Sequence, residues 1–135
     1  LEFRRVLFRS LVIEDNENNM ELITFILKSA GYSTIGAETG QEGLRLARTQ
    51  KPDFIILDIQ LPDIEGTEVL KQLRAEGSIQ DTPVIAVTSY AMAGDRERML
   101  SAGCDGYIEK PIDPEKVVEY IKSIVGAEDE NPDRR

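Results

Sequence analysis

Three carboxylates, a hydroxyl and an ammonium stand out in this chain because each comes just after an apolar run. Glu14-Asp15 follow Leu11-Val12-Ile13, Asp58 follows Phe54-Ile55-Ile56-Leu57, Thr88-Ser89 follow Val84-Ile85-Ala86-Val87, and Lys110-Pro111 come just after Gly106-Tyr107-Ile108. Carboxylates gathered in one place repel one another, and burial worsens the conflict. A divalent cation resolves it, and hard oxygen ligands suit Mg²⁺ better than Zn²⁺. The chain has no histidine, so the commonest general base and transition-metal ligand is missing. Beside such a cation Asp58 can act as a nucleophile toward phosphorus and form an acyl phosphate. The metal, Lys110 and Thr88 are then the groups that neutralise or hydrogen-bond the equatorial phosphoryl oxygens.

That chemistry requires five separate segments to meet. The apolar runs, together with Ser33-Thr34-Ile35, read as five short strands, and the segments between them have helical period. Residues 17–30 place Met20, Ile23, Leu27 and Ala30 on one stripe, with Asn16 as N-cap and Gly31 as the stop. Thr39 and Glu42 have capping-box spacing and open a helix to about Gln50, ended by Lys51-Pro52. A third helix is expected from about Gly66 to Ala75 and a fourth from about Ala91 to Ala102, stopped by Gly103. The fifth starts at Asp113-Pro114 and carries Val117, Val118, Ile121, Ile124 and Val125 at helical spacing. The pattern is (βα)₅, an α/β protein with a doubly wound five-stranded parallel sheet covered on both faces. Ligands of such sheets sit beyond the carboxyl ends of the strands, where all the singled-out side chains fall.

Composition narrows the setting. The 135 residues suit one domain, and 41% apolar with 30% charged residues is ordinary for a globular protein. No apolar run approaches a membrane span, and the first ten residues hold no continuous signal-like stretch, so a cytoplasmic location and no membrane partner are the default expectations. With Cys104 alone there is no disulfide framework. A net charge of −9 argues against nucleic acid as a direct ligand. Arg9-Ser10 interrupt the first apolar run and no initiator Met is present, so residues 1–10 are expected to be a non-native or atypical leader. Residues 11–125 form the domain, and the polar residues 126–135 a fraying tail.

The order of these pieces resembles the receiver domain family of response regulators across about residues 11–125. The resemblance rests on Glu14-Asp15, on Ile55 to Gly66 around Asp58, on Thr88, and on Tyr107 with Lys110-Pro111; Thr88 to Asp95 and Gly103 to Tyr107 look most like single-domain receivers and the receiver modules of hybrid kinases. It implies a flavodoxin-like fold with strand order 2-1-3-4-5, and Asp58 as phosphoacceptor. It further implies Mg²⁺ held by Asp15, Asp58 and the backbone carbonyl of Gln60, with Glu14 acting through water. Thr88, Lys110 and Tyr107 would make the phosphoryl contacts and the switch, with Tyr107 rotating inward and Lys110 aimed inward by a cis bond to Pro111. Gln60 and Tyr90 would flank the path of attacking water and set the lifetime of the phosphoryl group. Expected partners are a sensor histidine kinase or a histidine phosphotransfer protein, since the chain has no donor histidine, and a downstream kinase or phosphatase. The domain itself would not be an enzyme beyond weak self-phosphorylation and self-dephosphorylation.

Each residue also has a plainer reading. Glu14-Asp15 alone could be a solvated turn, Thr88 an ordinary strand end, Lys110 a surface lysine and Tyr107 a half-buried strand residue. Cys104 reads as a small core residue rather than a redox sensor. Two other functions compete. An aspartate-nucleophile phosphatase usually carries a second Asp two residues past the nucleophile, where this chain has Gln60. A flavin-binding module needs a Ser/Thr/Gly-rich phosphate loop after the first strand, and here that loop is acidic.

Overall fold

A computed structural model describes residues 8–89 and 93–126. The elements in chain order are β1 (Arg9–Ile13), α1 (Glu17–Ser29), β2 (Ser33–Ala37), α2 (Gly40–Gln50), β3 (Phe54–Asp58), α3 (Gly66–Ala75), β4 (Val84–Thr88), α4 (Asp95–Ser101), β5 (Gly106–Glu109) and α5 (Pro114–Val125). The five strands form one parallel sheet in the order β2-β1-β3-β4-β5.

Period-two alternation divides the core between the two faces of this sheet. Leu11 and Ile13 of β1 and Ile55 and Leu57 of β3 pack with Leu44, Leu70 and Leu73 on the side of α2 and α3. Val12, Phe54 and Ile56 pack with Ile23, Leu27 and Ile121 on the side of α1 and α5. Because both faces are covered, the central strands are apolar at every position until their carboxyl ends. The polar residues of those ends are where the chemistry collects.

Local signals place most helix ends. Asn16 Oδ1 accepts the Asn19 N–H at 2.9 Å, and Gly31 follows α1 with φ of 98°. Asp113 Oδ1 accepts the Glu115 N–H at 3.1 Å, and Pro114 opens α5. The capping box of α2 is only half formed. Thr39 Oγ1 accepts the Glu42 N–H at 3.1 Å, but the Glu42 carboxylate turns outward to Arg45 instead of back to Thr39.

Two expectations are corrected. β1 begins at Arg9, so Arg9-Ser10 do not interrupt it. The Arg9 N–H donates to the Asp53 carboxylate at 2.7 Å, its guanidinium reaches the Gln50 side chain at 3.1 Å, and the buried Ser10 hydroxyl donates to the Ser33 carbonyl at 2.8 Å. Satisfied polar groups of this kind are tolerated in a strand. The fourth helix, expected from about Ala91, starts at Asp95; Gly94 before it adopts a left-handed conformation with φ of 87°, which a continuing helix does not allow. Ala91 itself lies outside the described residues.

Arg74 near the end of α3 ties distant segments together. Its Nε and Nη2 donate to the Gly103 carbonyl at 3.1 and 2.7 Å, its Nη1 to the Gln80 and Thr82 carbonyls at 3.0 and 2.8 Å, and its Nη2 to Asp105 Oδ2 at 2.8 Å. The same Asp105 oxygen accepts the Val84 N–H that opens β4, at 2.9 Å. Arg74→Met keeps the stem and removes the fork, so it is expected to cost about 2 kcal/mol of stability. Thermal melting checks this, and an unchanged melting temperature would show that water replaces the guanidinium without loss.

Candidate functional site

The carboxyl ends of β1 and β3 bring Glu14, Asp15 and Asp58 together. One carboxylate oxygen from each lies within 4.8 Å of the others. Glu14 is 1% exposed and Asp58 5%, while Asp15 is open to solvent. Glu14 Oε2 accepts the Asn16 N–H at 3.1 Å, and Glu14 Oε1 accepts from Lys110 Nζ at 2.9 Å. The same ammonium stands 3.8 Å from Asp58 Oδ2. Asp58 Oδ1 accepts the Gln60 N–H at 3.1 Å. Lys110 reaches the cluster from the connection after β5, and its bond to Pro111 is cis.

Burial pushes the Asp58 carboxyl up to about 7, and the neighbouring Glu14 carboxylate adds to the rise; the Gln60 N–H and Lys110 oppose it. One ammonium shared between two buried carboxylates leaves the cluster short of positive charge. That deficit, the all-oxygen donor set and the open Asp15 side fit a divalent cation such as Mg²⁺.

The segment between Asp58 and α3 turns back on its own start. The Gly66 N–H donates to the Ile59 carbonyl at 2.9 Å, and a Cβ at position 66 would stand 2.6 Å from the Ile59 Cα and 3.0 Å from the Asp58 carbonyl oxygen. Only glycine fits so close to backbone. This turn carries Gln60, the expected backbone ligand.

Thr88 ends β4 and is buried. By alternation it shares a sheet face with Val84 and Ala86, and Tyr107 packs in the core cluster on that face. The inward rotation expected of Tyr107 meets a ring that is already buried, with a hydroxyl that has no hydrogen-bond partner among the described residues. Burial, with Asp95 and Glu109 adding, raises its phenol above the ordinary range. Cys104 is buried and its thiol is pushed up to about 12, chiefly by burial, which suits an inert core residue. Tyr90, the other expected lifetime residue, lies outside the described residues.

Sequence reasoning missed Asp63, Arg74 and Asp105. Their partners lie 22 or more positions away for Asp63 and up to 31 for Arg74, so no local spacing marks them. Asp63 accepts from the Gly40 and Gln41 N–H groups, both at 2.8 Å, and those amides hold its carboxyl below the ordinary range.

A 2-1-3-4-5 parallel sheet with an acidic cluster and a lysine at its carboxyl rim defines the receiver domain of response regulators, and the chain belongs to that family: its model, described as response regulator receiver domain, matches residues 10–122. Such domains are signalling switches of two-component systems rather than classical enzymes. Among curated relatives, the polar-differentiation response regulator DivK of Brucella anthropi is 47% identical over 116 residues, covering 86% of this chain and 94% of the relative. DivK of Brucella ovis matches to the same extent. Among solved structures, the receiver domain of a sensor histidine kinase from Pseudomonas aeruginosa has a magnesium ion coordinated in its active site cleft. It is 31% identical with a TM-score of 0.83, covering 90% of this chain and 100% of that one. No helix among the described residues is long and apolar enough to cross a membrane.

Proposed function

We propose that this protein is a phosphorylation-dependent switch in which Asp58 accepts a phosphoryl group from the phosphohistidine of a partner. The observation that carries this reading is the meeting of Glu14, Asp15 and Asp58 under the Lys110 ammonium. Asp15, Asp58 and the Gln60 carbonyl would hold Mg²⁺, with Glu14 acting through water. Mg²⁺, when bound, neutralises the carboxylates and the incoming phosphoryl oxygens. Asp58 Oδ1 is steadied by the Gln60 N–H, and Asp58 forms the new phosphorus–oxygen bond as the bond to the donor nitrogen breaks. Lys110 exchanges its bond to Glu14 for one to a phosphoryl oxygen, and the Thr88 hydroxyl moves toward another.

The signal leaves on the face that Thr88 and Tyr107 share. A shift of Thr88 frees space beside Tyr107, and the surface of α4, β5 and α5 changes shape. An open groove lined by Tyr107, Glu109, Lys116 and Tyr120 lies on that surface, where a protein partner would read the change. The donor is a sensor histidine kinase or histidine phosphotransfer protein, and a downstream kinase or phosphatase reads the changed face. Gln60 and Tyr90 set the lifetime of the acyl phosphate.

The test is to mix the protein with acetyl phosphate and Mg²⁺. A stable, acid-labile adduct on Asp58 that does not form in chelator is the expected result. Continuous phosphate release at enzyme rates would favour a phosphatase instead, and a yellow protein on purification a flavin module.

A further inference from the structure

The segment 59–66 is anchored to α2 by a residue that the proposed phosphotransfer does not use. The two oxygens of Asp63 take the Gly40 and Gln41 N–H groups of the first turn of α2. The α2 helix already has a cap of its own, because Thr39 Oγ1 takes the Glu42 N–H. Asp63 therefore satisfies further orphan amides from a distant part of the chain. Ile64 packs against the same spot so closely that a Cβ at Gly40 would stand 2.5 Å from its Cγ1. At its other end the segment is tied to the site by the Gln60 N–H on Asp58 Oδ1, and it is closed on itself by Gly66 on Ile59. Gln60 thus makes the attachment to the acidic cluster, and Asp63, further along the same short segment, makes the attachment to α2.

We infer that Asp63 is a positioning residue for the cation site: by fastening the 59–66 segment to the N-terminus of α2 it holds the Gln60 backbone in register with Asp15 and Asp58. Occupancy of the site is in turn felt at the first turn of α2, a face separate from α4, β5 and α5. This rests on the Mg²⁺ reading above. Partners that orient a metal ligand without touching the metal typically matter about 10- to 100-fold in affinity.

Mg²⁺ binding to the full chain, measured by calorimetry, tests it. Asp63→Ala should weaken Mg²⁺ about tenfold. Asp63→Asn, which keeps one acceptor oxygen, should recover part of that loss. Thr39→Ala removes the helix's own cap and should lower the melting temperature, yet leave Mg²⁺ affinity within about twofold, since the Gly40 and Gln41 amides that hold Asp63 stay in place. In the wild type the Gly40 and Gln41 amide resonances should move on Mg²⁺ titration. Equal affinities for Asp63→Ala and wild type overturn the inference, as does a loss as large in Thr39→Ala. Should Asp63→Ala fail to fold, stationary Gly40 and Gln41 resonances in the wild type overturn it by themselves. A wild type that binds Mg²⁺ with Asp63→Ala unaffected sinks this inference alone, whereas a wild type that binds no Mg²⁺ sinks the proposed function as well.

Discussion

Asp58→Asn is expected to abolish labelling by acetyl phosphate and, in the same protein, to raise the melting temperature at pH 8 in chelator. Asparagine keeps the shape and loses both the nucleophile and the charge. The folded Asp58 carboxyl stands at about 7 against an ordinary 3.8, mainly through burial. The fold therefore favours protonated Asp58. That contribution to stability is complete below about pH 4 and is lost as pH rises to about 7. A tenfold change in proton affinity is worth about 1.4 kcal/mol, so Asp58→Asn should gain on the order of 2 kcal/mol at pH 8, or roughly 5–10 °C.

The chain has no histidine, the side chain whose ordinary charge change falls between about pH 5 and 8. Asp63 and Glu42, whose carboxyls are lowered, contribute with the opposite sign: their stability is present above the unfolded value and lost as pH falls. Both cancel in the difference between variant and wild type. Added Mg²⁺ should stabilise the wild type more than the variant. Residual labelling of Asp58→Asn contradicts the nucleophile assignment. Melting temperatures that coincide at pH 8 in chelator contradict the burial argument.

Lys110→Ala should give the largest loss of stability. It strands Glu14, which is 1% exposed and bonded to Lys110 Nζ at 2.9 Å, beside a second buried carboxylate. Breaking a buried pair by removing one partner typically costs about 3–5 kcal/mol, because the other charge stays buried. Adding Glu14→Gln to Lys110→Ala should recover much of the loss, and the double-mutant cycle measures the coupling. Removing a positive charge next to the cluster should also tighten Mg²⁺ at least about tenfold. The variant is thus expected to be unstable in chelator, strongly rescued by Mg²⁺, and slow to accept a phosphoryl group. A destabilisation under about 1 kcal/mol would mean that Glu14 reaches water or a proton when Lys110 is gone.

Most of the architecture is legible in the sequence because it depends on local patterns. Alternation from strand to helix, unbroken apolar strands and caps at Asn16, Thr39 and Asp113 are short-range features, and the structure contains each of them. The misreadings have local causes too. Arg9-Ser10 read as an interruption because a sequence shows polarity and not the Asp53, Gln50 and Ser33 groups that satisfy it. The sequence places the start of α4 too early because the alanines near it favour helix, while the left-handed turn at Gly94 is a matter of backbone geometry.

Residue types and the order of apolar runs are enough to say which groups could do chemistry and that they share one rim. A parallel sheet sends every strand's carboxyl end to the same side, so Glu14, Asp15, Asp58, Thr88 and Lys110 had to converge once the strands were recognised. How they meet depends on the folded chain. It set Lys110 closer to Glu14 than to Asp58, raised the Asp58 carboxyl by excluding water, and buried Tyr107. It also produced the attachments made by Asp63 and Arg74, which join segments that are distant along the chain. The physical reason is range: propensity, alternation and capping act over a few residues, whereas burial and ion pairing depend on which segments the folded chain brings into contact.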